Sequence, residues 1–185
     1  MQAQYTSQHF QELIQSIMEV VNIGKELRED QSGINMSYNF IGDYVSFDPS
    51  RLLKANDELT HRISIEEYVK AITIHELGHA MYRDALLASL TRTFEIFDLK
   101  ESHTFDEFYT DKTLMSVLIE EHEMNIVFEE TAWENAEKLN RLYQLVEEES
   151  FHLIKEHSLS TYRKLYQEDL EHFQKLQSVP SLQPA

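Results

Sequence analysis

Residues that break helices are scarce in this chain. Four Gly and three Pro occur among 185 residues, and Pro180 and Pro184 fall in the last six. So few turn signals leave long helices joined by short loops as the natural outcome. The length suits one well-filled domain and is short for two. With 42% hydrophobic and 26% charged residues, the composition is that of an ordinary globular protein. The expected organisation is a single domain over residues 1–177, followed by a frayed tail at 178–185.

Apolar residues Phe10, Leu13, Ile14, Ile17, Val20 and Val21 recur at helical spacing, predicting a helix from Ser7 to about Arg28, its last turn weakened by Gly24. Ile34, Met36, Tyr38 and Phe40 alternate strictly with polar residues and read as a half-buried strand. Gly42-Asp43 marks a turn, and Tyr44 to Phe47 can return as a second strand, giving a small antiparallel sheet at about 34–47. Ser64-Ile-Glu-Glu67 is a capping box that opens a helix running through the 80s, to Phe97 with a break. Residues 99–110 read as a loop, and a long helix is expected from Asp111 to about Leu139. The segment 141–177 reads as two helices with a break near 158–161. The fold class is therefore α+β and predominantly helical.

A net charge of −17 argues against nucleic acid, because no basic stripe is present to displace counterions from phosphates. It is the charge of a solvated acidic surface. No apolar run approaches the length that crosses a bilayer, and the N-terminus lacks the basic and apolar regions of a signal peptide, so a cytoplasmic protein without membrane association is expected. Cysteine is absent. Any metal must then be held by His, Asp or Glu.

Within the capped helix stands His75-Glu76-Leu77-Gly78-His79. Residues four apart share a helix face, so the two imidazoles can aim at one point, compatible with Zn–N bonds of about 2.0–2.1 Å. Glu76, on the same turn, can reach a zinc-bound water without being a ligand. This is the H-E-x-x-H arrangement, in which Zn²⁺ acidifies water and the carboxylate takes its proton as general base. Tyr68, Ile72, His75 or Glu76 and His79 form one stripe, so the motif faces inward. Gly78 inside a helix implies a close packing neighbour.

A catalytic zinc needs a third protein ligand and an open position for water. The metzincin pattern would put Gly and His where Tyr82 and Ala85 stand, so that class is excluded. The best source is a Glu on the helix after residue 111. Its stripe Leu114, Leu118, Glu121, Asn125, Phe128, Ala132 is apolar with two polar residues embedded. The neighbouring stripe Met115, Ile119, His122, Ile126, Glu129, Trp133 is also largely apolar, whereas Glu120, Glu123 and Glu130 lie on the solvent side. An inward carboxylate needs a partner, either the metal or a Lys or Arg. Glu121 is accordingly expected to be the third ligand. Asn125, one turn on, would fix a zinc histidine's tautomer, and Glu129 and His122 stand in reserve. A second electrophile for the oxyanion would come from Tyr82, His103, Tyr109, Tyr143, His152 or His157. The aromatic stripe Tyr162, Leu165, Tyr166, Leu170, Phe173 reads as core packing or a dimer face, which leaves a homodimer among the expectations.

The pair of motifs, His75-Glu-Leu-Gly-His79 and Glu121-His-Glu-Met-Asn125, resembles the gluzincin metallopeptidases, whose H-E-x-x-H is followed on a later helix by E-x-x-x-D or E-x-x-x-N. The compact form looks like a minigluzincin and is similar to the protease domains of ImmA/IrrE-type regulators and HtpX-type peptidases. The resemblance covers about residues 34–135. It implies a zincin-like domain, a Zn²⁺ cofactor, a peptide or protein substrate held along the edge of the small sheet, and hydrolysis of the peptide bond. The chain departs from the pattern at Met124 and Ile126-Val-Phe128, where the family is Ala-rich, and in the long stretch 80–120. The alternative is a regulatory or scaffold protein of the same fold, with zinc bound and the protease site latent or inactive.

Overall fold

In the computed structural model, residues 5–178 are described, so the expected tail lies, beyond Ser178, outside the described residues. The first helix, α1 (Ser7–Val20), starts at the Thr6 cap, whose hydroxyl accepts the His9 N–H at 3.2 Å. It ends eight residues sooner than Arg28. Asn22 takes a left-handed φ of 55°, a conformation that Asn tolerates, amid the β-branched Val20, Val21 and Ile23 that favour helix poorly. The released chain forms β1 (Glu26–Glu29).

The expected hairpin is present as β2 (Met36–Asn39) and β3 (Tyr44–Phe47), paired antiparallel with Tyr38 opposite Val45. β1 adds to the other side of β3 in parallel, with Leu27 opposite Val45. The sheet is therefore mixed and three-stranded, in the order β1-β3-β2, and not purely antiparallel. Its alternation holds where the strand is paired: Met36 and Tyr38 are buried, whereas Ile34, ahead of the strand, is exposed. β2 is left as an edge.

Asp48 caps α2 (Pro49–Asp57), with Pro49 in the first turn. Ser64 caps α3 (Ile65–Ala80), accepting the Glu67 N–H at 3.2 Å. The chain breaks at Tyr82 and resumes as α4 (Arg83–Ser102). Residues 99–110 are not a loop: α4 runs on to Ser102, and Thr104 with Glu107 forms a capping box that starts α5 (Phe105–Thr110). Asp111 then caps α6 (Lys112–Tyr143), which closes on Gln144 in the left-handed region. The last segment is one helix, α7 (Glu148–Ser178). No break occurs at 158–161 because the Ser160 and Thr161 hydroxyls bond back to the His157 and Ser158 carbonyls at 2.7 Å, and Leu159 is fully buried. The molecule is mostly helical with a small sheet, and no described helix is long and apolar enough to cross a membrane.

Helix α3 is buried nearly all round, packed by α1, the sheet edge β2, α6 and α7. Its closest approach is to α6. A Cβ added at Gly78 would stand 2.2 Å from the Ala132 carbonyl oxygen, and the Gly78 carbonyl accepts the Asn135 side-chain N–H at 3.2 Å. Two main chains meet there with no room for a methyl group. Helix propensity alone would favour Gly78→Ala by about 1 kcal/mol, but overpacking a fixed backbone contact costs about 1–3 kcal/mol or more. Gly78→Ala is therefore expected to lower the midpoint of urea unfolding. A raised midpoint would mean that the two helices part freely.

Candidate metal centre

His75 and His79 project from α3 toward Glu129 on α6. His75 Nε2 stands 3.1 Å from Glu129 Oε2, and His79 Nε2 stands 3.4 Å from Glu129 Oε1. One donor atom from each of the three lies within 4.8 Å of the others, and this is the group among the described residues that could hold a metal ion. Ligands about 2.0–2.1 Å from a tetrahedral centre are about 3.3 Å apart, so both contacts have the right span.

The hydrogen-bond network fixes which nitrogen faces the centre. The Tyr82 hydroxyl donates to the Phe128 carbonyl, so it accepts from His79 Nδ1, 2.9 Å away. His75 Nδ1 donates to Glu76 Oε1 at 3.1 Å. Each imidazole thus carries its Nδ1 proton outward, and each Nε2 turns a lone pair toward the Glu129 carboxylate. His75 Nε2 is buried and makes no hydrogen bond of acceptable geometry in spite of its proximity to Glu129. Three electron-rich groups facing one another need a cation or protons between them. The His75 ring is further held by Trp133, stacked on it at 4.3 Å between centroids.

Without a metal, a proton takes that place. Burial pushes His75 down, but Glu76 and Glu129 outweigh it and raise the pKa from 6.5 to about 9. Burial pushes Glu129 up, but the imidazoles of His75 and His79 close beside it outweigh that and hold the carboxyl well below its usual range. The raised His75 contributes stability that is full below about pH 6.5 and lost as pH climbs through about 9. The depressed Glu129 contributes stability that is present above about pH 4.5 and lost in acid. A metal must displace the His75 proton. If the centre takes zinc, binding near pH 7 should release about one proton, with affinity rising up to tenfold per pH unit until about pH 9. Calorimetric titration in buffers of different ionisation heat measures this. A pH-independent affinity with no proton release would show that His75 is already neutral.

Glu76 is buried beside the centre, and its Oε2 accepts the backbone N–H of Tyr38 at 2.8 Å. That bond ties the free edge of β2 to α3. Between them lies a cleft of about 440 Å³, lined by β2, His75, Glu76, His79, Glu129 and Tyr162.

Of the residues expected from the sequence, His75, Glu76 and His79 come together. Glu121 does not join them: the third carboxylate at the histidine pair is Glu129, held in reserve on the sequence. Glu121 instead takes Lys100 Nζ between its two oxygens at 2.8 and 2.9 Å, the alternative partner for an inward carboxylate. The stripe of α6 that faces the core is Met115, Ile119, Trp133, and Glu129 lies on it. Asn125 is exposed and bonds neither histidine; Tyr82 and Glu76 fill the tautomer-fixing role assigned to it. His122 Nε2 pairs with Asp169 at 2.7 Å, away from the centre.

Tyr162, expected in core packing or a dimer face, lines the cleft. Burial, then the neighbouring charge of Glu129, raises its hydroxyl pKa and keeps it neutral. Tyr82 is committed to His79, while His103 and Tyr109 line a separate chamber. No local pattern marks Tyr162, because its place depends on how α7 crosses α6. Comparison with known proteins finds no family model, no curated protein and no solved structure that matches the chain.

Proposed function

We propose that the chain is a zinc-dependent peptidase, with His75, His79 and Glu129 as metal ligands and Glu76 as general base. The observation that carries this reading is the meeting of two imidazole Nε2 lone pairs and a carboxylate, one of those nitrogens orphaned, beside a second carboxylate in an open cleft. The donor set is nitrogen and oxygen with no sulfur, and three protein ligands leave a position for water, as in catalytic zinc sites. Zinc bound there would acidify water and polarise the scissile carbonyl.

The chain's own residues do the rest. Glu76 takes the proton of the attacking water and passes it to the leaving amine. The neutral Tyr162 hydroxyl donates a hydrogen bond to the developing oxyanion. Tyr82 and Trp133 keep the imidazoles oriented, and the edge of β2, whose Tyr38 N–H is held by Glu76, offers its remaining main-chain groups to an extended peptide. The test is cleavage of an unstructured protein by the zinc-loaded chain, abolished by 1,10-phenanthroline and restored by zinc. Bound zinc with no cleavage of any unstructured substrate would overturn the peptidase reading.

One observation favours a second reading, a zinc-bound scaffold with a latent site. Both Glu76 oxygens are already engaged, one by the Tyr38 N–H and one by His75. Each oxygen keeps a second lone pair, but the two bonds pin the carboxylate and limit its swing toward a bound water. Stoichiometric zinc, no turnover and unaltered partner binding in Glu76→Gln would support it.

A further inference from the structure

A second chamber, about 530 Å³, opens beside the metal cleft. It lies among α4, α5, α6 and α7, and its wall includes Phe105, Phe108, Leu118 and Leu165. Asn125 and Tyr162 line both spaces, so the two adjoin across those side chains.

The carboxylates that line the chamber are paired with other lining side chains, and His103 bonds the Leu99 carbonyl. Asp169 is 4% exposed, and both of its oxygens are taken, one by the Tyr109 hydroxyl at 2.6 Å and one by His122 Nε2 at 2.7 Å. Glu121 is closed by Lys100. A polar guest would find those carboxylates already bonded, whereas an apolar guest would cover aromatic and aliphatic wall. On a protein with a net charge of −17, this space stands out as apolar and locally neutralised.

We infer that this chamber is the specificity pocket of the proposed peptidase and takes an aromatic or large aliphatic side chain of the substrate, close to the bond being cut. The assignment rests on the metal reading. The shared Tyr162 and Asn125 wall sets the chamber next to the cleft and commits it to one occupant: a side chain of the same peptide whose backbone lies against β2. It also gives Glu121 a task after its loss as a ligand. By neutralising Lys100, Glu121 keeps the wall free of unpaired charge.

The test uses zinc-loaded full-length protein and two kinds of chelating probe, read by calorimetry without any turnover. Acetohydroxamate reports the metal alone. A series of phenylalkyl hydroxamates with two to five methylenes reports the metal and the chamber together. The best phenylalkyl probe is expected to bind about 10- to 100-fold tighter than acetohydroxamate, the gain from burying a Phe-sized group. The affinity ratio between the two probes is the readout within each variant. Leu165→Trp, at an exposed position on the rim, should collapse the ratio toward one by filling the space. Leu118→Ala should shift the preference to a naphthylalkyl probe by enlarging it. A ratio near one in the unmodified protein, or a ratio that neither substitution moves, would overturn the pocket and leave the metal site standing. Failure of acetohydroxamate itself to bind would remove the metal site and the pocket with it.

Discussion

On the proposed metal site, Glu129→Ala is expected to strip the protein of zinc, while Glu121→Ala leaves about one zinc per chain. Removing an outer partner of a metal ligand already costs 10- to 100-fold in affinity. Loss of one of the three proposed ligands should exceed that, so dialysed Glu129→Ala should carry almost no metal by atomic absorption. The two glutamates lie on the same helix and differ in their partners. Glu129 faces both histidines at 3.1 and 3.4 Å, whereas Glu121 faces Lys100. Freeing Lys100, itself largely solvated, should alter stability by no more than about 1 kcal/mol. The reverse pattern, with zinc lost on removing Glu121 and kept on removing Glu129, would mean that α6 is rotated from the phase described.

The other large effect is expected at Glu76. On the proposed peptidase reading, Glu76→Gln should lower peptide hydrolysis by about 10²- to 10⁴-fold, the usual contribution of a general base, while zinc stays bound. The substitution is not silent elsewhere. Glu76 accepts from two donors, the Tyr38 N–H and His75 Nδ1. A glutamine has a single carbonyl oxygen, so its amide group must confront one donor with another. Part of the outcome is then a weaker hold on His75, visible as a modest loss of zinc affinity. Measuring metal content and turnover on the same sample separates the two contributions. Full activity in a zinc-replete Glu76→Gln protein would exclude Glu76 as the base.

The sequence made the donor helix legible and the receiving one less so. Ser64, the H-E-x-x-H string and Gly78 are local signals, and each has its structural counterpart: a cap, two convergent imidazoles, and a main-chain contact with Ala132. The third carboxylate depended on the rotational phase of a 32-residue helix with two adjacent apolar stripes. Pattern alone could not choose between them, because the choice is made by the crossing with α3. The inward position of Glu121 was read correctly in part, since it is half-buried and paired, but the partner is a lysine from α4. Strand β1 was hidden inside a helical run. Only Asn22 and Gly24 signalled the stop, and the pairing that makes Glu26–Glu29 a strand comes from β3, fifteen residues further on. At 158–161 the error ran the other way: Ser and Thr suggested a break, and their hydroxyls bonded within the helix instead.

The contact between Gly78 and Ala132 acts as a caliper. Gly78 is next to His79, and Ala132 is one helical turn beyond Glu129, so main chain rests on main chain close beside the three donor groups. Side chains can adjust by rotation, but that spacing cannot widen without unpacking the two central helices. On the proposed metal reading, an ion of small radius with nitrogen-tolerant, four-fold coordination would suit that spacing. Calcium, which asks for six to eight oxygens at about 2.3–2.6 Å, would have to spread the helices to enter. Discrimination by ionic radius would then follow from a missing methyl group, located outside the ligand set altogether.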